Sequence, residues 1–326
     1  MTNILIALVV LLVIVSLVQL TRVSELLGEL KNEDVNKVTD NDNKTQGVLF
    51  LIIGMGFMGF VIWQMIEWNH LLLPAAASLH GEQIDVLMKF TMTMILVVFF
   101  VLTPMLFYFA YKYRGSKNNT AYFLSHNNKL ELIWTVIPTI VLTGVIIFGL
   151  KTWDETMNVD TSTAKVVEVY SEQFKWTARN SGNDNKLGNS NFKLVTAKNA
   201  LGVDMQDQNS LDDQLLREVH LVVGKPVLLK FRSRDVIHSA YLPHFRVQMN
   251  CVPGLLTQFA FTPTKTTKQM KEEEGEDFEY VLLCNKICGA AHYNMQMSFI
   301  VETQEEYDEW ISSKETLSEK LLTQKQ

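Results

Sequence analysis

Near its C-terminal end the chain carries Cys284-Asn285-Lys286-Ile287-Cys288-Gly289-Ala290-Ala291-His292-Tyr293-Asn294-Met295, which gathers two thiols, an imidazole and a thioether in one short span. Such soft ligands select copper. The thioether argues against zinc, whose structural sites draw sulfur from Cys and nitrogen from His. A fifth candidate, His238, stands forty-six residues before Cys284. Five side-chain donors are one more than a single four-coordinate ion takes, so the set suits two ions sharing bridging sulfurs better than one.

The simplest competing account of Cys284 and Cys288 is a disulfide. It leaves His292 and Met295, placed four and three residues further on, without a reason. For His238 the competitor is a satisfied core histidine, and on its own that reading wins. A β-sandwich, however, brings one remote strand-end ligand beside a ligand-bearing loop, as blue-copper folds do. His70, His80 and His126 lie at membrane edges or in loops, His220 enters a strand and His244 has no sulfur ligand near it in sequence, so all five read as structural or solvated. Cys251, just before Val252-Pro253-Gly254, reads as a buried free thiol. Three cysteines in all are too few for a disulfide-built scaffold.

The elements that must position these residues differ between the two halves of the chain. The 326 residues carry 29 basic and 35 acidic side chains, a balance that gives no reason to expect nucleic acid. Long uncharged apolar runs crowd the first half, at residues 4–20, 48–66, 90–111 and 132–150. Each is long enough to cross a bilayer, the first at the short limit. That first run lacks a basic leader and a small-x-small cleavage site, so it reads as a retained anchor rather than a signal peptide. Pro104 and Pro138 lie within the later runs, where neighbouring helices satisfy the freed backbone groups.

Loop charge predicts orientation. Lys112, Arg114, Lys117 and Lys129 lie between the third and fourth runs, whereas residues 67–88 hold no Lys or Arg at all. The former loop is therefore expected inside. By alternation residues 21–46, with Arg22, Lys31, Lys37 and Lys44, are inside too, and everything after Lys151 is outside.

From Lys165 onward the period changes to that of strands. Runs at 166–170, 219–223, 226–231, 256–262, 280–283 and 296–302 are separated by Gly, Pro and Asn and predict a sandwich or small barrel. Residues 180–213 read as a long excursion on one edge, Lys271–Asp277 as a solvated hairpin tip, and the segment from Glu302 as a C-terminal helix with Tyr307, Trp310, Leu317 and Leu321 on one stripe. The predicted organisation is an anchor and connector over 1–46, membrane helices over 47–151, a copper-binding domain over 152–301 and a polar helix or tail over 302–326.

Asp235-Val236-Ile237-His238-Ser239 with Pro243, then Val252-Pro253-Gly254, then C-x-x-x-C-x-x-x-H-x-x-M resemble subunit II of the haem-copper cytochrome c oxidases. The likeness covers about residues 71–301 and includes Leu72-Leu73-Pro74 and the run Lys129 to Pro138. It implies a bacterial type with two extra N-terminal helices: a membrane α-helical anchor carrying an external, all-β, cupredoxin-like sandwich. It further implies a dinuclear copper A centre, bridged by Cys284 and Cys288, capped by His238 and His292, with Met295 and the backbone carbonyl of Lys286 as weak ligands. Electrons would enter from cytochrome c and leave to a haem in subunit I, where oxygen is reduced to water; subunit III is a further expected partner. No catalytic residue of the oxygen chemistry is expected in this chain, and proton pumping belongs to the complex. The expected location is the inner cell membrane with the copper domain on the periplasmic side.

Departures from the family's pattern matter. Lys286 stands where the family usually has Glu, whose carboxylate helps hold a magnesium ion against subunit I; copper ligation through the carbonyl survives this, and the magnesium contact is put in question. The aromatic electron-entry run Gln-Trp-x-Trp becomes Gln173-Phe174-Lys175-Trp176, and Arg232 and Arg234 precede Asp235 where a basic cytochrome would favour acids. These point to a donor domain held in a larger complex. Glu131 is read by itself as an interfacial carboxylate, and by the resemblance as lying near the mouth of a proton path through subunit I. The closest alternative is a copper A subunit feeding nitric oxide or nitrous oxide reduction. A membrane-anchored copper-carrying assembly protein fits less well, since exposed, exchangeable ligands would be expected of it. A quinol oxidase subunit lacks these ligands.

Overall fold

The computed structural model describes residues 2–30, 38–157 and 162–323. Lys31 and Lys37, counted above for orientation, lie outside them, as does the side chain of Leu321. Four helices come first: α1 (Thr2–Leu30), α2 (Asp40–Glu67), α3 (Leu79–Lys112) and α4 (Asn128–Met157). All four are long and apolar enough to cross a membrane. They run past the apolar stretches at both ends, because helix continues through the polar flanks where backbone hydrogen bonds must still close. Helix α2 starts early for a local reason: the Thr39 hydroxyl accepts from the Asp42 amide while the Asp42 carboxylate accepts from the Thr39 amide. That capping box, with Asp40 beside it, also sets negative charge on the positive end of the helix dipole.

The chain divides into two units. One holds α1, α2 and the second half of α3. Within it Gly54 of α2 lies against Phe107, whose ring atoms would stand 2.3 Å from any Cβ added there, so only glycine permits this approach.

The second unit holds the first part of α3, α4 and the β-rich region. Its strands are β1 (Lys165–Glu172), β2 (Lys175–Asn180), β3 (Gln214–Leu216), β4 (Val219–Val222), β5 (Val227–Ser233), β6 (His238–Leu242), β7 (Val247–Cys251) and β8 (Thr257–Phe261). Helix α5 (Thr267–Glu274), β9 (Tyr280–Cys284), β10 (Gln296–Glu302), α6 (Gln304–Ser312) and α7 (Leu317–Thr323) complete it. One sheet has the order β3-β2-β1-β5-β8 and the other β4-β10-β9-β6-β7. This is a sandwich with a parallel pair in each sheet, β1 with β5 and β10 with β4. Alternation places Met297, Phe299 and Val301 of β10 inside against Leu229, Phe231 and Phe259 of the facing sheet. A fully buried Phe or Leu contributes roughly 1.5–3 kcal/mol of hydrophobic stabilisation.

Four strands escape the sequence pattern: β2, β3, β6 and β7 are short or interrupted by Lys, Arg, His and Asn. Lys271–Asp277 is not a hairpin tip. Residues Thr267–Glu274 are helical, started by a Thr266/Gln269 capping box and pinned by the buried Met270. The C-terminal segment forms two helices rather than one, with Tyr307 and Leu317 buried on separate pieces. The 180–213 excursion does leave from the sheet edge, between β2 and β3.

Beneath that excursion lies a buried ionic network. Arg179, 2% exposed, donates from Nε to Glu168 at 2.7 Å and from Nη1 to Asp213 at 3.2 Å, and Arg232 also binds Glu168. At the start of α3, Arg246 grips Asp85 through Nε and Nη2 at 2.8 and 2.9 Å, and Ser78 donates to the Phe245 carbonyl at 2.8 Å. Sandwich and helix start are thereby tied together within this unit.

Candidate metal centre

Strands β6 and β9 are neighbours, with Ala240 opposite Cys284, so the first residue of one and the last of the other meet at the same sheet end. The chain then loops from Cys284 to β10, and the loop is held by its own backbone: Cys284 N–H donates to the Met295 carbonyl at 3.1 Å and Asn285 N–H to the Ser239 carbonyl at 2.9 Å. His238 arrives from the strand and the other sulfur and nitrogen donors from the loop.

The donor atoms converge. The two sulfurs lie 3.8 Å apart, too far for a disulfide bond, and both thiols are free. His238 Nδ1 is 3.8 Å from Cys284 Sγ, and His292 Nδ1 is 3.6 Å from Cys288 Sγ. Met295 Sδ is 3.9 Å from Cys288 Sγ, and the Lys286 carbonyl is 3.3 Å from Cys284 Sγ. His238, Cys284 and Cys288 satisfy the spacing of a metal cluster among the described residues. His238 is fully buried, Met295 is 2% exposed, and both cysteines are buried. Burial and the neighbouring Cys284 push the Cys288 thiol up to about 11, so a cation must draw off its proton to bind it. Two thiols flanked by two imidazoles, a thioether and a carbonyl fit a pair of soft ions.

Sequence reading overlooked what orients these donors. Asp235 Oδ1 lies 2.9 Å from His238 Nε2, leaving Nδ1 turned to the sulfurs. A carboxylate on the far nitrogen is how proteins fix the tautomer of a metal-ligating histidine. Asp235 is itself held by the Gln173 amide at 2.7 Å, and the Gln173 side chain donates to the Cys288 carbonyl at 2.5 Å. The turn between β1 and β2 therefore clasps both the histidine's partner and the ligand loop. The Asp-x-x-His spacing was the available signal.

Trp176 is buried, donates its indole N–H to the Met295 carbonyl at 3.3 Å, and stands edge-on to His238 at 6.1 Å between rings. Phe174 is partly buried and packs on Gly289, where a Cβ would meet its ring at 2.8 Å. The Lys286 side chain points to solvent, and Glu131 is exposed in the first turn of α4.

The remaining histidines stay apart from the sulfurs. His220 stacks on Trp310 at 3.6 Å with Nδ1 2.7 Å from Glu302, His244 packs on Phe278 and Tyr280, and His80 is buried beside Phe259. Cys251 sits opposite His238 in the β6–β7 register, fully buried, its thiol pushed up to about 12 by desolvation.

Two family descriptions match: "Cytochrome C oxidase subunit II, transmembrane domain" over residues 66–152 and "Cytochrome C oxidase subunit II, periplasmic domain" over 166–303. The alternative cytochrome c oxidase subunit 2 of Bradyrhizobium diazoefficiens is 28% identical over 273 residues, covering 83% of this chain and 92% of that protein. Cytochrome c oxidase subunit 2 of Synechocystis is 24% identical over 285 residues, covering 82% of each. Among solved structures, the periplasmic domain of subunit II of cytochrome oxidase from Bradyrhizobium japonicum is 21% identical, with a TM-score of 0.32, covering 47% of this chain and 94% of that one. Together with its four apolar helices, the two family matches make the molecule a membrane protein with an external domain.

Proposed function

The chain belongs to the cytochrome c oxidase subunit II family, and from that membership we propose that it is the electron-entry subunit of a terminal oxidase. Its ligands would be His238, Cys284, the Lys286 carbonyl, Cys288, His292 and Met295, holding the two coppers of a copper A centre. The observation that carries this is the convergence of five side-chain donors and one carbonyl on two free thiols 3.8 Å apart. When bound there, copper would supply a one-electron relay, held by His238, Cys284, Cys288, His292 and Met295.

The chain's own residues do the rest. Asp235 and Gln173 hold His238 and the ligand loop in place, so little reorganisation is needed when the charge changes. Burial of both sulfurs and Met295 excludes water from the centre. Electrons come from cytochrome c or a cytochrome c domain, such as one held within a larger complex, and pass to haem in subunit I, where oxygen is reduced to water as protons are translocated. Subunit III is a further partner. The copper domain lies on the periplasmic side of the inner membrane. Lys286 offers an ammonium where a carboxylate would be needed for magnesium, so this side chain contributes no magnesium ligand. Phe174 and Trp176 remain the proposed entry residues, the latter through its contacts with the Met295 carbonyl and His238.

Copper analysis with electron paramagnetic resonance tests the assignment. Two coppers per chain and a spectrum of one electron shared between them are expected; one copper per chain, or a localised single-copper hyperfine pattern, refutes it. Asp235→Ala should weaken copper binding about 10–100-fold, the usual effect of removing a ligand's orienting carboxylate. Competition titration against a chelator measures it, and an unchanged affinity removes Asp235 from the site. Glu131→Gln should slow turnover with the copper spectrum unaltered; equal turnover at every pH would take Glu131 out of the proton path.

A further inference from the structure

We infer that the cleft between the start of α2 and the end of α3 is a binding site for one anionic phospholipid, whose phosphate is taken by Arg114 and whose chains lie against Phe50 and Ala110. The inference goes beyond electron entry and does not depend on the copper assignment. It concerns α2, which lies almost entirely before the first family match at residues 66–152.

Sequence places this cleft at the membrane boundary. Gly47 directly precedes the apolar run 48–66 and Tyr111 closes the run 90–111, so the hydrocarbon-compatible part of both helices ends here. The external domain follows α4, and each crossing changes sides, so the end of α3 and the start of α2 belong to the inner boundary. Exposed Tyr108, Tyr113 and Phe50 supply the aromatic fringe typical of such a depth.

Gly47 is buried, and a Cβ there would stand 3.2 Å from Arg114 Cδ and 3.4 Å from Tyr111 Cα, so the arginine stem lies across α2. Its Nη1 donates to the Tyr111 carbonyl at 2.9 Å, and the guanidinium stands 5.0 Å from the Tyr111 ring centre. Nε and Nη2 meet no carboxylate or other acceptor among the described residues. An arginine fixed by one donor and one ring, with the rest of its fork open at the hydrocarbon edge, suits an oxyanion. The cleft beside it has a volume of about 280 Å³ and is also lined by Asn43, Gln46, Phe50 and Ala110. Asn43 donates to the Gly115 carbonyl at 3.1 Å, which ties the end of α3 to α2 and leaves the exposed Gln46 amide as a second donor. Donors and apolar side chains lining one cleft match a phosphodiester joined to acyl chains, and basic pockets between membrane helices on the cytoplasmic side take such headgroups.

Local charge favours an anionic lipid over a zwitterionic one. The two segments carry Lys44, Lys112, Arg114 and Lys117 against Asp40 and Asp42. Both carboxylates are engaged: Asp40 accepts from the Lys117 N–H at 3.1 and 3.3 Å, and Asp42 from the Thr39 N–H at 2.9 Å. Asp42 and Asp40 precede Gly47 by five and seven residues, which sets them roughly 7 and 10 Å further along the helix toward water. Lys112 is turned elsewhere, its Nζ 5.5 Å from the Tyr108 ring centre and 5.4 Å from that of Tyr113, and so provides a control cation at the same depth.

The test uses the intact purified oxidase in detergent, washed free of loosely held lipid and titrated with phosphatidylglycerol or phosphatidylcholine under native mass spectrometry. Wild type should hold one more phosphatidylglycerol per copy of this chain than Arg114→Gln, whose affinity for that lipid should be about fivefold lower, and phosphatidylcholine should bind wild type about fivefold more weakly. Arg114→Lys should fall between the two, Lys112→Gln should match wild type, and Gln46→Leu, which removes only an exposed amide, should weaken binding about threefold. Inorganic phosphate at millimolar concentration should displace nothing, and subunit composition and copper content should be the same in all variants. Arg114→Gln or Gln46→Leu holding phosphatidylglycerol as tightly as wild type overturns the proposal. So does an equal loss in Lys112→Gln, which would mark diffuse surface charge, or displacement by inorganic phosphate, which would mark a free-anion site. A subunit lost from Arg114→Gln with the lipid count unchanged would show that a partner's carboxylate fills the cleft instead, and overturns it as well.

Discussion

Cys284→Ser and Cys288→Ser should each abolish the spectrum of the proposed two-copper centre and lower cytochrome-driven turnover about 10³-fold or more, corresponding to roughly 4 kcal/mol or more of lost rate-determining stabilisation. The hydroxyl is nearly the size of the thiol but is hard and is not deprotonated near neutrality, so it cannot bridge soft ions. Because the two sulfurs lie 3.8 Å apart with one imidazole against each, they act as a unit, and the double variant should lose little more than either single one. The fold should survive, since most of the core is strand residues remote from the loop, such as Leu229, Phe231 and Phe299. Resonance spectra, stopped-flow reduction and thermal melts check the three parts. A Ser variant that keeps the shared-electron signal sinks the bridging assignment.

Arg179→Leu should cost about 3–5 kcal/mol of stability, the usual result of removing one member of a buried ion pair and leaving its partners uncompensated. Here Asp213 loses its cation and Glu168 keeps only Arg232, both carboxylates being buried. The loss should depend on pH. Burial pushes the Asp213 carboxyl up to about 7 from its ordinary 3.8, against the pull of Arg179. Below pH 3.8 the carboxyl is protonated folded or unfolded; between there and about 7 only the folded form keeps its proton. Its stabilising contribution is therefore whole at low pH and is withdrawn as pH rises through about 7. Arg179→Leu should accordingly lower the melting temperature more at pH 8 than at pH 5.5, and Asp213→Asn should flatten the dependence. A deficit that is equal at both pH values would show that Asp213 is ionised throughout.

How much was legible beforehand differs by element. The four membrane helices could be read because eighteen or so uncharged residues in a row have few other destinations. Six strands could be read from β-branched alternation. β2, β3, β6 and β7 could not: β3 is only three residues long, β7 is a short strand with Gln248 and Asn250 outward, and β2 and β6 carry Lys175, Arg179 and His238 for reasons of the ionic network and the site. The helix at Thr267–Glu274 was hidden by its charge run, which hides the one buried Met270 that docks it.

For the centre itself, residue chemistry and spacing determined which atoms could ligate, that sulfur and imidazole in those numbers suit copper better than zinc, and that a remote histidine had to join a local loop. Only the tertiary structure decided that His238 Nδ1 faces Cys284 and that Asp235 and Gln173 hold the arrangement. Ligand identity is a property of side-chain electronics and is carried by each residue wherever it sits. Orientation and exposure arise from contacts between segments far apart in the chain, such as β1–β2 against the Cys288 loop, which no local pattern encodes.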